Sequence, residues 1–464
     1  MARSKDCLQE GDWPQRDLDE AAPTARPTPQ VRLDWPGAMG LVTHALVGLL
    51  GTGSWVAING VWVELPLLVP STPEGWLLPS CLTLALQLAN VGPLLVTLAH
   101  RFRPGWLHEG ATIYALLALG SLACLLLAFF WGQTSVVGSS RHSTALLALF
   151  FCLALVDCTS SVTFLPYMQR LQPPYLATYF AGEGLSGLLP GLVALGQGVG
   201  VVRCVNGSRG GNSTAGLLAE YQEARFSVSA FFLFLSAMMA FSLGAFAFLN
   251  HLLATQRARA KEGDQVPMES VGGQPESQDP AGGSFGSGTY SGSQMGYIFG
   301  LLGWVNALTN GVLPAVQSYS CLPYGDAAYH LSTALASLAN PLACVLGMCL
   351  PSRSLVLMGA LSFVGSLLAC YIMAMAVLSP CPPLLHGPHG AILIVLCWVL
   401  FVGFLSYVKL MIGMVLRDKG HSALVWCGAV VQLGSMVGAL TLFPLVSIYS
   451  LFHPGDPCNT SCPV

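Results

Sequence analysis

The charged residues of this sequence are clustered, and between the clusters run uncharged apolar blocks about 20 residues long, enough to cross the ~30 Å hydrocarbon core of a bilayer as helices. Only 9% of the residues are Asp, Glu, Lys or Arg, while 53% are hydrophobic. A soluble domain carries roughly 25% charged residues, so a chain this poor in charge cannot cover a water-facing surface. In hydrocarbon every backbone polar group must be satisfied internally, which makes helices the expected elements. The net charge of −3 comes without a basic patch interleaved with aromatics, which excludes nucleic acid as a partner and leaves the lipid bilayer.

The blocks predict about eleven spans. They run Gly40–Trp62, Leu82–Ala99, Ala111–Trp131, Ala145–Leu165, Leu176–Val201 and Phe226–Leu249, then Met295–Val316, Ala327–Leu350, Leu355–Leu378, Ala391–Leu416 and Ala423–Leu445. Residues 1–39 read as a disordered tail with no apolar leader, 251–294 as a disordered Gly/Ser/Pro-rich linker, and 448–464 as a short C-terminal tail. Positive residues are retained in the cytoplasm. With the N-terminus inside, Arg101, Arg103, Arg170, Arg257, Arg259, Lys261, Arg353, Arg417 and Lys419 fall in inner loops, and only Arg141, Arg203, Arg209 and Arg225 in outer ones. The glycosylation sequons at Asn206, Asn212 and Asn459 all fall on the outer side of the same topology, which places the C-terminus outside. Most cysteines lie in or beside spans as small apolar residues. Of those facing the oxidising exterior, Cys381 is expected to pair with Cys458, or as second choice with Cys462. No cysteine and histidine spacing suggests a metal site.

The chain repeats itself at an interval of about 250 residues. Asn59-Gly60-Val61 ahead of Pro66 matches Asn310-Gly311-Val312 ahead of Pro314. Leu88-Ala89-Asn90 ahead of Pro93 matches Leu338-Ala339-Asn340 ahead of Pro341, and Glu183 matches Gln432, each before a Gly/Ser-rich run. An even number of spans separates each pair, so the repeats are parallel, as in major-facilitator halves. The expected fold is therefore an all-α polytopic membrane protein. It has a six-helix half (40–250) and a five-helix half (295–447), in a 6+5 arrangement like that of major-facilitator or equilibrative nucleoside transporters.

A transporter of this build binds its solute near the membrane midplane between the halves. The polar candidates there are Asn59, Gln87, Asn90, Asn306, Asn310, Gln317, Asn340, Tyr407 and Gln432, with Trp55, Trp62, Phe180, Trp304 and Tyr319 nearby. Amides and aromatics with few cations suit a neutral, flat ligand rich in acceptors. Any of the amides can instead serve as an interhelical hydrogen bond, and Asn90 and Asn340 can satisfy carbonyls freed by the adjacent prolines. Asp157, Glu183 and Lys409 are ionisable residues inside spans and candidates for gating or coupling. Asp157 and Lys409 occupy equivalent helices of the two halves and are expected to pair, the alternative for Lys409 being to snorkel to the membrane edge. Glu64, at the outer end of the first span, is a further coupling candidate; Glu74 lies in the loop beyond, and His44 reads as a packed residue.

Longer runs are more specific. Gly53-Ser54-Trp55 through Asn59-Gly60 to Trp62-Val63-Glu64-Leu65-Pro66, Asp157-Cys158-Thr159-Ser160-Ser161, Gly182-Glu183-Gly184-Leu185-Ser186, Asn306-Ala307-Leu308-Thr309-Asn310-Gly311 and Leu405-Ser406-Tyr407-Val408-Lys409 resemble the eukaryotic riboflavin transporters, solute carrier family 52. The likeness runs from about Thr43 to the C-terminus and is greatest to the third member; the N-terminal extension and the linker depart from it. The resemblance implies sodium-independent uptake of riboflavin at the plasma membrane, favoured at acidic pH, with an apical site in epithelia and with riboflavin as cargo rather than cofactor. It agrees with the site chemistry, since amides can match the uracil-like edge of the flavin and aromatics can stack on its faces. The poverty of cations in the core predicts rejection of flavin mononucleotide, whose phosphate it cannot neutralise. A carrier for another neutral planar solute such as a nucleoside or nucleobase, or a multi-pass receptor, is the alternative. An enzyme is disfavoured because no triad, metal cluster or aspartyl pair is present, and a channel because bundled amides and aromatics suit binding better than a wet pore.

Overall fold

The apolar blocks fold as helices that are interrupted at Gly, Asn and Pro positions, where the backbone ladder is weakest. The computed structural model describes residues 37–103, 105–138, 140–198, 202–206, 217–221, 223–263, 290–385, 387–453 and 462. Helix α1 (Gly37–Thr52) stops at Gly53-Ser54, and α2 (Val56–Leu68) restarts at an angle of 52°. The first span, expected to end at Trp62, is thus a bent pair reaching Leu68. Helices α3 (Leu78–Leu88) and α4 (Val91–Phe102) make the second span, broken at Ala89-Asn90.

Helices α5 (Glu109–Phe130) and α6 (Thr144–Tyr167) are joined across a small hairpin of strands β1 (Ser135–Val137) and β2 (Ser140–His142). Helix α7 (Pro173–Gln197) begins on prolines, whose missing N–H is no loss in a first turn, and ends at Gly198 with a left-handed φ of 87°. A second antiparallel pair, β3 (Val202–Asn206) and β4 (Leu217–Tyr221), precedes α8 (Val228–Gly263). The expected linker start at His251 is displaced: α8 continues to Gly263, because the run of Leu, Ala, Gln, Arg and Lys there favours helix.

In the C-terminal part, a capping box of Ser291 and Gln294 starts α9 (Gly292–Asn306). The span then passes into a π-helical turn, Ala307–Val312, and a 3₁₀ turn, Pro314–Val316, before α10 (Gln317–Cys321). Helices α11 (Asp326–Cys349), α12 (Leu355–Val377), α13 (Pro388–Lys419) and α14 (His421–Ser447) complete the bundle. Among the described residues nine helices are long and apolar enough to cross a membrane, or ten if the bent pair α1–α2 counts as one span. The remaining expected span is α7, which carries Glu183 and a Gly/Ser-rich run and is not one of those ten.

Two helix groups form. Helix α1 packs on α7 and α8, and α5 on α6 and α8; α13 packs on α11 and α12, and α14 on α9 and the π turn. The groups meet where α7 lies on α11 and α14 on α6. Each group contains one crossing so tight that only glycine fits. A Cβ on Gly182 would stand 2.1 Å from the Gly48 carbonyl oxygen, and one on Gly434 2.3 Å from that of Gly303. These crossings join the first and fifth spans of each group and are themselves about 250 residues apart, at the interval of the sequence repeat.

The bridge from Cys381 is made to Cys462, with Cα atoms 5.6 Å apart, and not to Cys458, the first expectation, which lies outside the described residues. Phe452 packs with Val316, Ala376 and Leu442, and Ser379 Oγ donates to the His453 carbonyl at 2.8 Å. The C-terminal segment is therefore laid across the end of α12, beside Cys381. Asn206 closes β3, whereas Asn212 and Asn459 lie outside the described residues.

Candidate functional site

The clearest chemistry lies where the two groups meet. Lys409 of α13 forms an ion pair with Glu183 of α7, with side chains only 18% and 16% exposed. The Lys409 ammonium also sits 5.7 Å from the centroid of the Phe180 ring, one turn before Glu183. The expected partner, Asp157, is not the residue that meets Lys409. It is fully buried within the first group and accepts the Ile58 N–H at 3.2 Å. Snorkelling is likewise not what Lys409 does, since its charge is engaged between helices. Ser161, Tyr179, Cys427 and Val431 complete a narrow crevice around the ion pair.

Further links close the same end of the bundle. Gln432 Nε2 of α14 donates to Ser161 Oγ of α6 at 2.8 Å. A Cβ on Gly428 would lie 2.0 Å from the Ser161 carbonyl oxygen, and one on Gly184 would meet Pro341 Cδ at 2.8 Å. Nearer the loop after α6, Arg417 donates to the Leu171 carbonyl, and Glu109 holds both His421 of α14 and, at 2.8 Å, Arg170. The contacts tie α13 and α14 to α5, α6 and α7, so the two groups are locked at the end that carries Met168–Arg170.

The paired asparagines repeat one arrangement in each group. Asn59 Nδ2 donates to Ser186 Oγ at 3.1 Å, and that hydroxyl donates to the Glu183 carbonyl at 2.6 Å. Asn310 Nδ2 donates to Ser435 Oγ at 3.2 Å, and that hydroxyl donates to the Val431 carbonyl at 2.8 Å. Both asparagines stand at distorted backbone, Asn59 just after the α1–α2 break and Asn310 in the π turn, and each retains accessible surface. Backbone of this kind is common where a helix bundle presents groups to a ligand. Trp55 occupies the break itself, and Trp62 meets Phe150 edge-on at 6.4 Å.

Other expected residues are committed elsewhere. Asn306 is buried, donating to the Leu302 carbonyl at 2.8 Å and accepting from Asn310 at 3.3 Å. Asn90 donates to the Leu86 and Gln87 carbonyls and, at 3.4 Å, to the Gln87 side chain, which makes it a repair of the α3–α4 break. Asn340 lies against Gly184, at the contact of α11 with α7. Gln317 donates to Thr333 at 3.3 Å, and Tyr319 stacks at 5.5 Å on Phe452 in the apolar cluster at the end of α12. The Tyr407 hydroxyl donates at 2.6 Å to the Leu350 carbonyl at the end of α11, and Trp304 donates to Ser366 of α12 on an exposed face. Glu64 is buried and accepts from Gln197 at 3.0 Å. His44 packs against Thr178 and the Tyr175 ring.

Glu74 is held outside the spans. Its Oε1 accepts the Ser143 N–H at 2.7 Å and lies 3.5 Å from His142 Nδ1, tying the loop before α3 to the start of α6. Partial burial pushes this carboxyl up, but the Ser143 hydrogen bonds and the His142 charge outweigh it and hold the group below the ordinary carboxylate range. Among the described residues no His, Cys, Asp and Glu cluster could hold a metal ion. Ser161, Ser186 and Ser435 join the polar candidates as their hydrogen-bond partners, and Ser186 and Ser435 share the repeat interval of the asparagines they bind, a signal present in the sequence.

Comparison with solved structures places the fold. A bacterial homologue of the iron transporter ferroportin in an outward-facing state superposes with a TM-score of 0.51 at 15% identity, covering 88% of this chain and 92% of that one. The proton:xylose symporter XylE of the major facilitator superfamily gives 0.51 at 13% identity, covering 89% and 90%. The class is therefore that of a polytopic membrane protein with the major-facilitator fold.

Sequence comparison is more particular. The family model described as solute carrier family 52, riboflavin transporter, matches residues 39–454. Riboflavin transporter 2 of Salmo salar is 57% identical over 457 residues, spanning 91% of this chain and 100% of that protein. The family 52 member 3 proteins of Danio rerio (3-B) and Homo sapiens are 57% and 48% identical, each spanning 92% of this chain and 100% of the relative. The chain belongs to solute carrier family 52, the riboflavin transporters, and is a transporter rather than an enzyme.

Proposed function

We propose that this chain takes up riboflavin across the plasma membrane by alternating access, in a 6+5 arrangement of eleven spans with the N-terminus cytoplasmic and the C-terminus outside. The observation that carries this reading is the pair of equivalent Asn-Ser contacts, Asn59–Ser186 and Asn310–Ser435, one in each helix group and each at distorted backbone. Two neutral amides presented from opposite halves, with Trp55, Trp62 and Phe180 nearby, suit a planar solute with amide-like edges, and the relatives are named for riboflavin.

By the distribution of positive charge, the locked end bearing Arg170 is cytoplasmic. Release of riboflavin from Asn59 and Asn310 to the cytosol then requires Glu183–Lys409 and Gln432–Ser161 to part. Glu183 and Lys409 act as the inner gate, and Glu64, buried at the other end of the first span, is the coupling candidate for a preference for acidic pH. Uptake is independent of sodium, and in epithelia the site is apical.

The test is uptake of labelled riboflavin by cells expressing the chain, with unlabelled lumiflavin or flavin mononucleotide as competitor. Lumiflavin is expected to compete and the mononucleotide to fail. Efficient competition by the mononucleotide, or uptake of a nucleoside at equal rate, would overturn the assignment.

A further inference from the structure

The first span breaks inside the membrane and restarts with a residue that cannot cap it. Trp55 is the N-cap of α2, and its side chain makes no capping hydrogen bond. The opening N–H groups of α2 therefore lack the local acceptor that Ser, Thr, Asp or Asn would supply. The acceptor comes from another helix. Asp157, in the middle of α6, receives the Ile58 N–H on Oδ2 at 3.2 Å, although the two residues are 99 positions apart. One turn further along α6, Ser160 Oγ lies 3.5 Å from the carbonyl oxygen of Ser54, the residue before Trp55. The Ser160 hydroxyl gives its one proton to the Asp157 carbonyl at 2.6 Å, so Ser160 only packs beside Ser54 and the group of the break that α6 answers is the Ile58 N–H. Asp157, Ser160 and Ser54 are all fully buried, and Ile58 is 2% exposed.

From these contacts we infer that Asp157 is a positioning residue for substrate binding: a helix cap supplied from α6 that fixes the direction in which α2 leaves the break. The inference rests on the proposed role of Asn59. Ile58 immediately precedes Asn59, and Trp55, Asn59 and Trp62 all lie on the stretch whose start Asp157 holds. Among the described residues the remaining oxygen, Oδ1, is buried without a hydrogen-bond partner, and the side-chain hydrogen bond this carboxyl makes is the one to α2. Cation pairing is not its work, because the ammonium of Lys409 belongs to Glu183.

The chemistry of capping separates this role from proton transfer. Asparagine caps as well as aspartate but cannot take up a proton at neutral or mildly acidic pH, whereas alanine does neither. The experiment measures KM and maximal rate of riboflavin uptake for D157N, D157A, N59A and D157A/N59A, each normalised to surface abundance. D157N is expected to keep KM within about 3-fold of the unaltered protein, and D157A to raise it by about 3- to 30-fold, the range that loss of a cap implies. The maximal rate per surface molecule is expected to change far less. D157A/N59A is expected to be no worse than the more impaired single variant, because both changes act on one contact.

Transport lost equally in D157N and D157A would overturn the inference, since it would assign the work to the ionisable proton. A fall in maximal rate with KM unchanged in D157A, or fully additive effects in the double variant, would overturn it as well. If D157A fails to reach the surface, D157N decides alone, and a rise in KM of about 10-fold in that variant counts against capping. Normal KM in N59A shows instead that the binding-site reading itself has failed, an outcome separate from any disagreement between D157N and D157A.

Discussion

Lys409 and Glu183 are opposite charges on helices of different halves, held together where a lone charge in the membrane interior would be costly. Removing one partner of a buried pair costs about 3–5 kcal/mol, and the residual exposure here reduces that to roughly 2–3 kcal/mol. The loss falls on the closed end alone, so E183Q or K409M is expected to shift the balance towards opening there by about 30- to 150-fold. Labelling of an engineered cysteine near Gly428 from the cytosolic side would report it, and the swapped pair E183K/K409E should recover part of the closed population. Equal labelling in all variants contradicts the gate. The repeat interval suggested Asp157 as the partner because it equates α6 with α13, and it could not say which way each side chain points. Asp157 faces the break in its own half. The clue available was local: a span interrupted at Gly53-Ser54, with no capping residue after it, needs an acceptor from elsewhere. Glu74 belongs at this scale too. Its folded pKa is depressed, so its loop contact contributes fully above the ordinary carboxylate range near 4.5 and is lost only as pH falls through the lower folded value. Between pH 7 and pH 5.5, E74Q is therefore expected to leave the pH dependence of uptake unchanged, although the contact to Ser143 is weakened. A flattened acid response in E74Q would contradict this.

At the scale of elements, the glycines separate folding from gating. Gly182 and Gly434 hold crossings inside each half, while Gly428 lets α14 lie on the backbone of α6 in the other half. A methyl at any of them meets backbone, and overpacking costs typically about 1–3 kcal/mol. G182A is expected to lower the yield of folded protein, read as melting temperature in detergent. G428A should leave melting nearly unchanged and instead raise labelling from the cytosolic side, because only the contact between halves is pushed apart. The reverse pattern would contradict the assignment of these crossings. The all-helical build and the order of the helices were legible from the apolar blocks, which predict about eleven spans where nine or ten of the described helices are long and apolar enough to cross a membrane. The breaks were less so, because a window average of hydropathy does not register Gly53-Ser54, Asn90 ahead of Pro93, or a π turn at Asn310-Gly311. The helical extension of α8 is hidden for the opposite reason: its charged, polar run has the composition of a linker, yet its residues are good helix formers.

For the whole molecule, the repeat seen in tripeptides proves to be a repeat of contacts. The same asparagine-to-serine hydrogen bond and the same glycine crossing recur in both halves, and the two halves meet through α7 on α11 and α14 on α6. That is the construction expected of a carrier that rocks about a central site. The family was legible in long sequence runs, whereas for the candidate site spacing shows matching positions and not the partners of each side chain. Asn59 and Asn310 stand in matching positions, but Tyr319, Tyr407 and Trp304 are aromatic or polar residues whose partners lie in their own half, a fact spacing alone does not reveal. Carrier action on riboflavin is tested most directly by counterflow in proteoliposomes containing the purified chain. With unlabelled riboflavin inside and labelled riboflavin outside, label is expected to accumulate transiently and saturably, with lumiflavin suppressing the accumulation and N59A or N310A weakening it. Label that only equilibrates passively, or accumulates no faster than in protein-free vesicles, would contradict it.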